Sequence, residues 1–409
     1  MKKTDYIWLA LIVSQGCVEQ FQAETQTLEG LLVVDGLITD ELKRHEVQLT
    51  RVFAFEEEDP TTESGALVEV IDNEGTRYVF EEIEPGRYLA QLAFRAGHGK
   101  AYTLEITTDD GNTYRSDQVN MPKEVPITDL KATRVINGQG EEGVSITLDN
   151  VSETTGPSFF RYEYEETYKI IAPKWDPFDF EVVYYTPCTS RPYQVDIITG
   201  TGERRVCFAS NTSTNLIQAS TVDLVGNGIE NKEIRFLSRD NYIISHRYSI
   251  MVKQFSQTQD AHSFYERLGD FSSSDNVFSQ IQPGFLEGNI TASASGDRNV
   301  LGYFEVASVT EKRMYFNYED LFPGEELPPY AIDCNFMGNP PLYSPGYHCD
   351  GNICDGDCES PLIEAILAGL ISYAATNEGD FNRPYFTWAR ACGDCTELGS
   401  IVVPEFWEE

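Results

Sequence analysis

From Leu31 onward the chain is cut into short runs of alternating apolar and polar residues, each closed by a turn signal within a dozen positions. That spacing excludes most folds. A strand sends successive side chains to opposite faces, so a period of two marks a half-buried strand, whereas a packed helix needs a period near 3.6. Residues 31–36, 47–50, 66–71, 78–80, 87–90, 102–106 and 113–115 read as strands. Between them lie Asp72-Asn73-Glu74-Gly75, Pro85-Gly86 and Asp109-Asp110-Gly111-Asn112 as turns. Seven short strands within roughly 90 residues are what a β-sandwich requires. Met121-Pro122 to Pro126 is a stiff boundary, and a second β-rich stretch follows.

Its strand candidates are 144–148, 160–171, 184–185, 205–208, 234–236 and 248–252, later joined by 302–306 and 313–316. After 248–252, Ser256 with Gln259 reads as a capping box and Gly269 as a stop, with Ala261, Phe264, Tyr265 and Leu268 on one helix face. From Leu321 the chain turns Pro-, Gly- and Cys-rich. A second helix is expected after Ser360, with Pro361 in its first turn and a core-facing stripe of Ile363, Ile366, Leu367, Leu370 and Ile371.

The N-terminus has the form of an export signal. Lys2 and Lys3 precede an apolar run from Tyr6 to Val13, which is too short to span a bilayer as a permanent helix, and Gly16 precedes Cys17. A Cys after a small residue at this place is where bacterial lipoproteins are cleaved and acylated. Residues 1–16 are therefore expected to be a lipoprotein signal peptide and 17–29 a polar, lipidated tether. The body divides into an N-terminal β-sandwich over 30–122, a second β-sandwich with a helical insertion over 123–320, and a Cys-rich C-terminal cap with a helix over 321–409. The expected fold is mainly β: two tandem sandwiches of immunoglobulin or fibronectin-III type, one or two packed helices and a disulfide-rich C-terminal segment.

Cysteine usage agrees with export. Of nine cysteines, lipidation of Cys17 leaves Cys188, Cys207, Cys334, Cys349, Cys354, Cys358, Cys392 and Cys395, an even set that fits four disulfides. Cys188 and Cys207 bracket the turn-rich 198–202 and are expected to staple a hairpin. The formal net charge of −36 repels phosphate backbones and anionic headgroups, which argues against nucleic-acid binding and leaves the lipid as the membrane contact.

The sharpest metal candidate is the acidic loop after Cys349. Asp350, Asn352, Asp355, Asp357 and Glu359 offer the hard oxygens calcium takes, although Cys354 occupies a ligand position and the closing Glu does not match an EF-hand. The bland alternative is a disulfide-knotted acidic loop. The same cysteines with His348 and the Cys392-x-x-Cys395 hook could bind zinc, but an oxidising compartment converts such thiols to disulfides. His45, His98, His246, His262 and His348 lie in no motif that activates a nucleophile, so no catalytic residue is assigned. Trp175, Phe178, Phe180, Tyr184 and Tyr185 could form a platform for a sugar or peptide, and more often such a run packs its own hairpin.

Val34-Asp35-Gly36, Ala66 to Val70, Gly86-Arg87-Tyr88, Tyr102-Thr103-Leu104, Gly111 to Tyr114, Met121-Pro122, Tyr248 to Gln254, Leu301 to Phe304 with Lys312-Arg313, and Cys392 to Gly399 followed by Pro404 to Trp407 occur in an order that resembles the Bacteroidota outer-membrane lipoproteins called domain of unknown function 4249. The resemblance extends over nearly the full length; the Cys334–Cys358 insert is richer than that pattern. It implies no agreed activity and no catalytic residues. It does imply an outer-membrane, lipid-anchored location facing the cell exterior and an accessory or ligand-binding role beside a TonB-dependent transporter. The readings kept beside it are a surface hydrolase of glycans or peptides and a calcium-stabilised adhesin.

Overall fold

The computed structural model describes residues 30–52, 61–153, 156–189, 193–200, 203–224, 226–273, 286–293, 300–344, 348–350, 353–355 and 358–409. The protein is mainly β. Strands β1 (Leu32–Thr39), β2 (Glu46–Arg51), β3 (Thr61–Thr62), β4 (Leu67–Asp72), β5 (Arg77–Glu84), β6 (Arg87–Ala90), β7 (Ala101–Thr107), β8 (Thr113–Ser116) and β9 (Val119–Asn120) build the first unit. All seven expected strands are present there. Alternation places Val34, Leu49, Val68, Val70, Tyr88 and Leu104 in a core closed to solvent, where each large apolar side chain contributes roughly 1.5–3 kcal/mol. The β4–β5 turn holds because Asp72 accepts the backbone N–H groups of Glu74 and Thr76 and the Lys100 ammonium at 2.7 Å. Burial alone would raise the Asp72 carboxyl, but the Lys100 bond and those amides hold it at about 2.

The second unit comprises β10 (Ile127–Ile136), β11 (Glu142–Asn150), β12 (Phe159–Ile171), β13 (Phe178–Tyr185), β14 (Tyr193–Thr199), β15 (Val206–Thr212), β16 (Ile217–Ser220), β17 (Lys232–Ser238), β18 (Arg247–Gln257), helix α1 (Gln259–Ser273) and β20 (Val300–Asn317), whereas β19 (Ile290–Ala292) pairs with β8 of the first unit. Sheet β10-β11-β17 and strands β12, β15 and β18 contribute to a second core, with Val144, Ile146 and Leu148 from one side and Phe160, Tyr162, Tyr248 and Ile250 from the other.

Strand β20 joins the units. The expected strands 302–306 and 313–316 are one ladder of 18 residues. Its first part runs parallel to β1, Leu32 opposite Val300 through Thr39 opposite Ala307. Its second part runs antiparallel to β18, Ser256 opposite Ser308 through Arg247 opposite Asn317. The first core thereby takes Ile290, Val300, Phe304 and Val306 from the stretch the sequence assigns to the second unit. Periodicity shows that a strand exists and carries no information about its partner.

Both helices differ from expectation in detail. β18 runs through Ser256, so the cap of α1 is Thr258, whose hydroxyl accepts the Ala261 N–H at 3.2 Å, and α1 passes Gly269 to end at Ser273. Ala261 and Phe264 are buried while Leu268 is exposed. After α2 (Tyr318–Leu321), hairpin β21 (His348–Asp350) with β22 (Ile353–Asp355) leads to α3 (Pro361–Leu367), capped as expected by Ser360. Only Leu362 and Ile363 of that region are buried; Leu367 and Leu370 face out, and Ile371 opens β23 (Ile371–Thr376), which pairs with β24 (Tyr385–Ala389) before α4 (Arg390–Gly393). None of the helices among the described residues is long and apolar enough to cross a membrane.

Among the described residues three disulfides bind this cap. Cys188 pairs with Cys358, Cys207 with Cys395 and Cys334 with Cys392, so the expected Cys188–Cys207 staple is corrected. Strand β15, carrying Cys207, lies against the 395–400 segment: the Cys395 N–H bonds the Arg204 carbonyl, and Phe208 and Ser400 exchange backbone bonds. Cys349 and Cys354 oppose one another in the β21–β22 ladder. Cys17 lies outside the described residues.

Two stability predictions follow from these contacts. Gly302 has φ +98°, and a Cβ there would run into the Val34 carbonyl across the parallel ladder. Gly302→Ala should cost on the order of 3 kcal/mol, read as a lowered urea midpoint. His45 is closed to solvent with one ring nitrogen on the Phe94 carbonyl at 3.0 Å. Burial, aided by Lys43, lowers it to about 4. Between that value and about 6.5 the unfolded chain takes a proton that the folded chain refuses. Its contribution is therefore complete above about pH 6.5 and falls away toward pH 4, by up to ~3 kcal/mol. Urea unfolding of His45→Gln across that range should show a shallower acid slope.

Candidate functional site

Strand β12 reads Phe159-Phe160-Arg161-Tyr162-Glu163-Tyr164-Glu165-Glu166. Period two sends Phe160 and Tyr162 into the second core and Arg161, Glu163 and Glu165 to the opposite face. That face is covered in part by α1. Arg161 lies beneath it with its side chain only 10% exposed, over the Phe255 ring at 4.3 Å and the Tyr265 ring at 5.2 Å. It donates to Glu163 and, at 3.3 Å, to Glu305, a β20 carboxylate with no solvent exposure that also accepts the Gln257 amide at 2.7 Å. Burial works against the Arg161 charge, but the Glu305 and Glu163 carboxylates and the Tyr265 phenol raise its pKa above the ordinary range. The Tyr265 hydroxyl is pushed well up by burial and by Glu305.

A groove of about 680 Å³ opens beside this cluster, between β12 and β18 on one side and α1 with the 212–216 turn on the other. Glu163, Glu165 and Lys253 line it with Tyr164, Tyr265 and Leu268. Lys253 is bonded to Glu41 at 3.1 Å. Burial would raise the Glu41 carboxyl, but Lys43 and Lys253 hold it at about 2. Apolar walls, polar groups fixed by ion pairs and this volume are the attributes of a small-ligand site. Sequence reasoning missed these residues. The available signal was a strand with charges on the face that the next helix covers, since a buried Arg requires a buried carboxylate.

The sites expected from sequence fare differently. Of the calcium candidates, Asp350 and Asp355 are on paired strands β21 and β22 but at opposite ends of the ladder, Asp350 opposite Ile353 and Asp355 opposite His348. Asn352 and Asp357 lie outside the described residues. Glu359 is exposed beside Cys358. The hook thiols weighed for zinc are oxidised, as expected: Cys392 and Cys395 are bonded to Cys334 and Cys207, so no thiolate hook exists there. The aromatic run mostly packs structure. Phe180 meets Tyr373 and Tyr385 at 5.6 and 5.3 Å, and the Tyr185 hydroxyl accepts the Ser360 N–H, so hairpin β13–β14 is the seat of the cap. Phe178, also against Tyr373, is partly exposed. On its outer side the cap bares Phe336 and Phe381, 81% and 96% exposed.

A family model described as Domain of unknown function (DUF4249) matches residues 18–313, well over half of the chain. The chain belongs to the DUF4249 family. The DUF4249 match stops at residue 313, so the ending from Cys392 to Trp407 lies beyond it. A comparison with curated proteins finds no match. Among solved structures, a DUF4785 family protein from Legionella pneumophila is 8% identical with a TM-score of 0.18, over 55% of this chain and 52% of that one. This chain thus spans about half the length of that structure, and the likeness carries no argument about fold.

Inside the DUF4249 match, two stretches far apart in sequence meet in space. Val34-Asp35-Gly36 on β1 lies opposite Gly302-Tyr303-Phe304 on β20, residue for residue. The ion pair under α1 belongs to the same joint through Glu305. Removing Arg161 would strand that carboxylate, so Arg161→Ala should destabilise by about 3–5 kcal/mol in chemical denaturation. The double variant Arg161→Met with Glu305→Leu should recover most of the loss.

Proposed function

We propose that this protein is a lipid-anchored outer-membrane subunit without catalytic activity, which holds a ligand in the groove under α1 and acts beside a TonB-dependent transporter. The groove is the observation that carries the reading. Arg161 in its wall is committed to the buried Glu305 behind it, and Glu163, Glu165, Tyr164 and Tyr265 line the groove as contacts for a ligand. The export signal ending at Cys17 and the polar residues after it support a tethered body. Membership of DUF4249 supports the accessory role through the resemblance to outer-membrane lipoproteins. The bare Phe336 and Phe381 of the cap are suited to contact with a membrane-embedded neighbour.

Affinity purification of the full chain from its native outer membrane tests this. A TonB-dependent transporter should copurify, and Cys17→Ala should move the protein from the membrane to the soluble fraction. A monodisperse monomer without a membrane partner, or a Cys17→Ala chain that still partitions wholly with membranes, would contradict the proposal.

A further inference from the structure

Outside the groove, three chemically complementary side chains converge where the two units meet. Asp40 follows β1, His98 is in the turn before β7, and Glu124 is in the segment that links the units. One ligand atom from each lies within 4.8 Å of the others. Among the described residues none of the three forms an ion pair with a Lys or Arg, and the His98 ring and Glu124 carboxylate make no hydrogen bond. Two carboxylates thus face one imidazole with no cation between them.

The backbones carrying these groups are fixed. Asp40 accepts the Val309 N–H at 2.9 Å through one oxygen, which leaves the other available. The Ala96 N–H bonds the Thr39 carbonyl at 2.8 Å, tying the His98 turn to the Asp40 turn. The Val125 carbonyl accepts Gln254 at 2.7 Å and Thr310 at 2.9 Å, which pins the residue after Glu124 to β18 and β20. A metal site needs its donors held before the ion arrives, and here the Asp40 carboxylate is held through one oxygen while the segments of His98 and Glu124 are held by backbone carbonyls.

We propose that Asp40, His98 and Glu124 bind a divalent zinc-class ion at the joint between the two β units. One imidazole nitrogen and two carboxylate oxygens suit a borderline ion better than calcium, which takes oxygen alone. Three protein ligands leave a fourth position for water. The ion neutralises two facing carboxylates and cross-links the end of β1, the turn before β7 and the linker. This site is independent of the groove and of the acidic loop after Cys349.

The test is isothermal titration of zinc chloride into the metal-stripped full chain without a histidine tag, in excess calcium chloride to occupy the loosely acidic surface. One zinc per chain is expected. His98→Ala and Glu124→Gln, both exposed positions, should each weaken binding by about 100-fold with unchanged far-ultraviolet circular dichroism. The proposal is overturned if the wild-type chain takes up no stoichiometric zinc, if calcium abolishes the binding, or if His98→Ala binds as tightly as wild type.

Discussion

The structure depends on the change of partner along β20. For its first eight residues this strand is the parallel neighbour of β1, and from Ser308 it is the antiparallel neighbour of β18. Every backbone amide in a buried strand must find a carbonyl, so a strand that passes from one unit into the next without a break leaves no hinge between them. Around the crossover, Val125 accepts bonds from Gln254 and Thr310, and the Lys312 ammonium reaches the Thr128 carbonyl. The linker is thus laced to the strand it would otherwise swing past, and the two cores form one body.

The C-terminal cap is attached by different means. It has few buried apolar residues of its own and several bare ones, and a segment with so little core is held by covalent bonds and by packing on its neighbours. Cys207–Cys395 and Cys188–Cys358 close loops of 188 and 170 residues, each of which removes roughly 5 kcal/mol of chain freedom from the unfolded state in the loop-entropy account. The last residues continue the attachment: Arg313 stacks on Phe406 at 3.6 Å, Tyr315 donates to the Phe406 carbonyl, and Trp407 meets Phe208 at 4.9 Å.

Much of this was legible in the residues, and the rest was hidden for identifiable reasons. The seven strands of the first unit followed from alternation and from turn residues such as Asp72 and Gly75, because those signals are local. The pairing of β1 with β20 was not legible, since partners more than 260 positions apart leave no trace in either strand's own pattern. Ser256 with Gln259 has the spacing of a capping box, but Ser256 ends a strand and Thr258 caps the helix. The Cys188–Cys207 guess rested on proximity in sequence, whereas the fold brings the cap to both residues. The Arg161 groove escaped notice because Arg161-x-Glu163-x-Glu165 looks like a solvated strand face until a helix is laid over it. Asp40, His98 and Glu124 share no spacing at all, and only the joint assembles them.

The parallel pairing of β1 with β20 also orders events during synthesis. When the chain emerges from its N-terminus, β1 has β2 on one side and nothing on the other until residue 300 arrives. The first unit must therefore wait, with an open strand edge and an incomplete core, while nearly two hundred further residues appear. A chain with such an edge invites pairing with its neighbours. The formal net charge of −36 opposes that pairing, because like-charged copies repel one another.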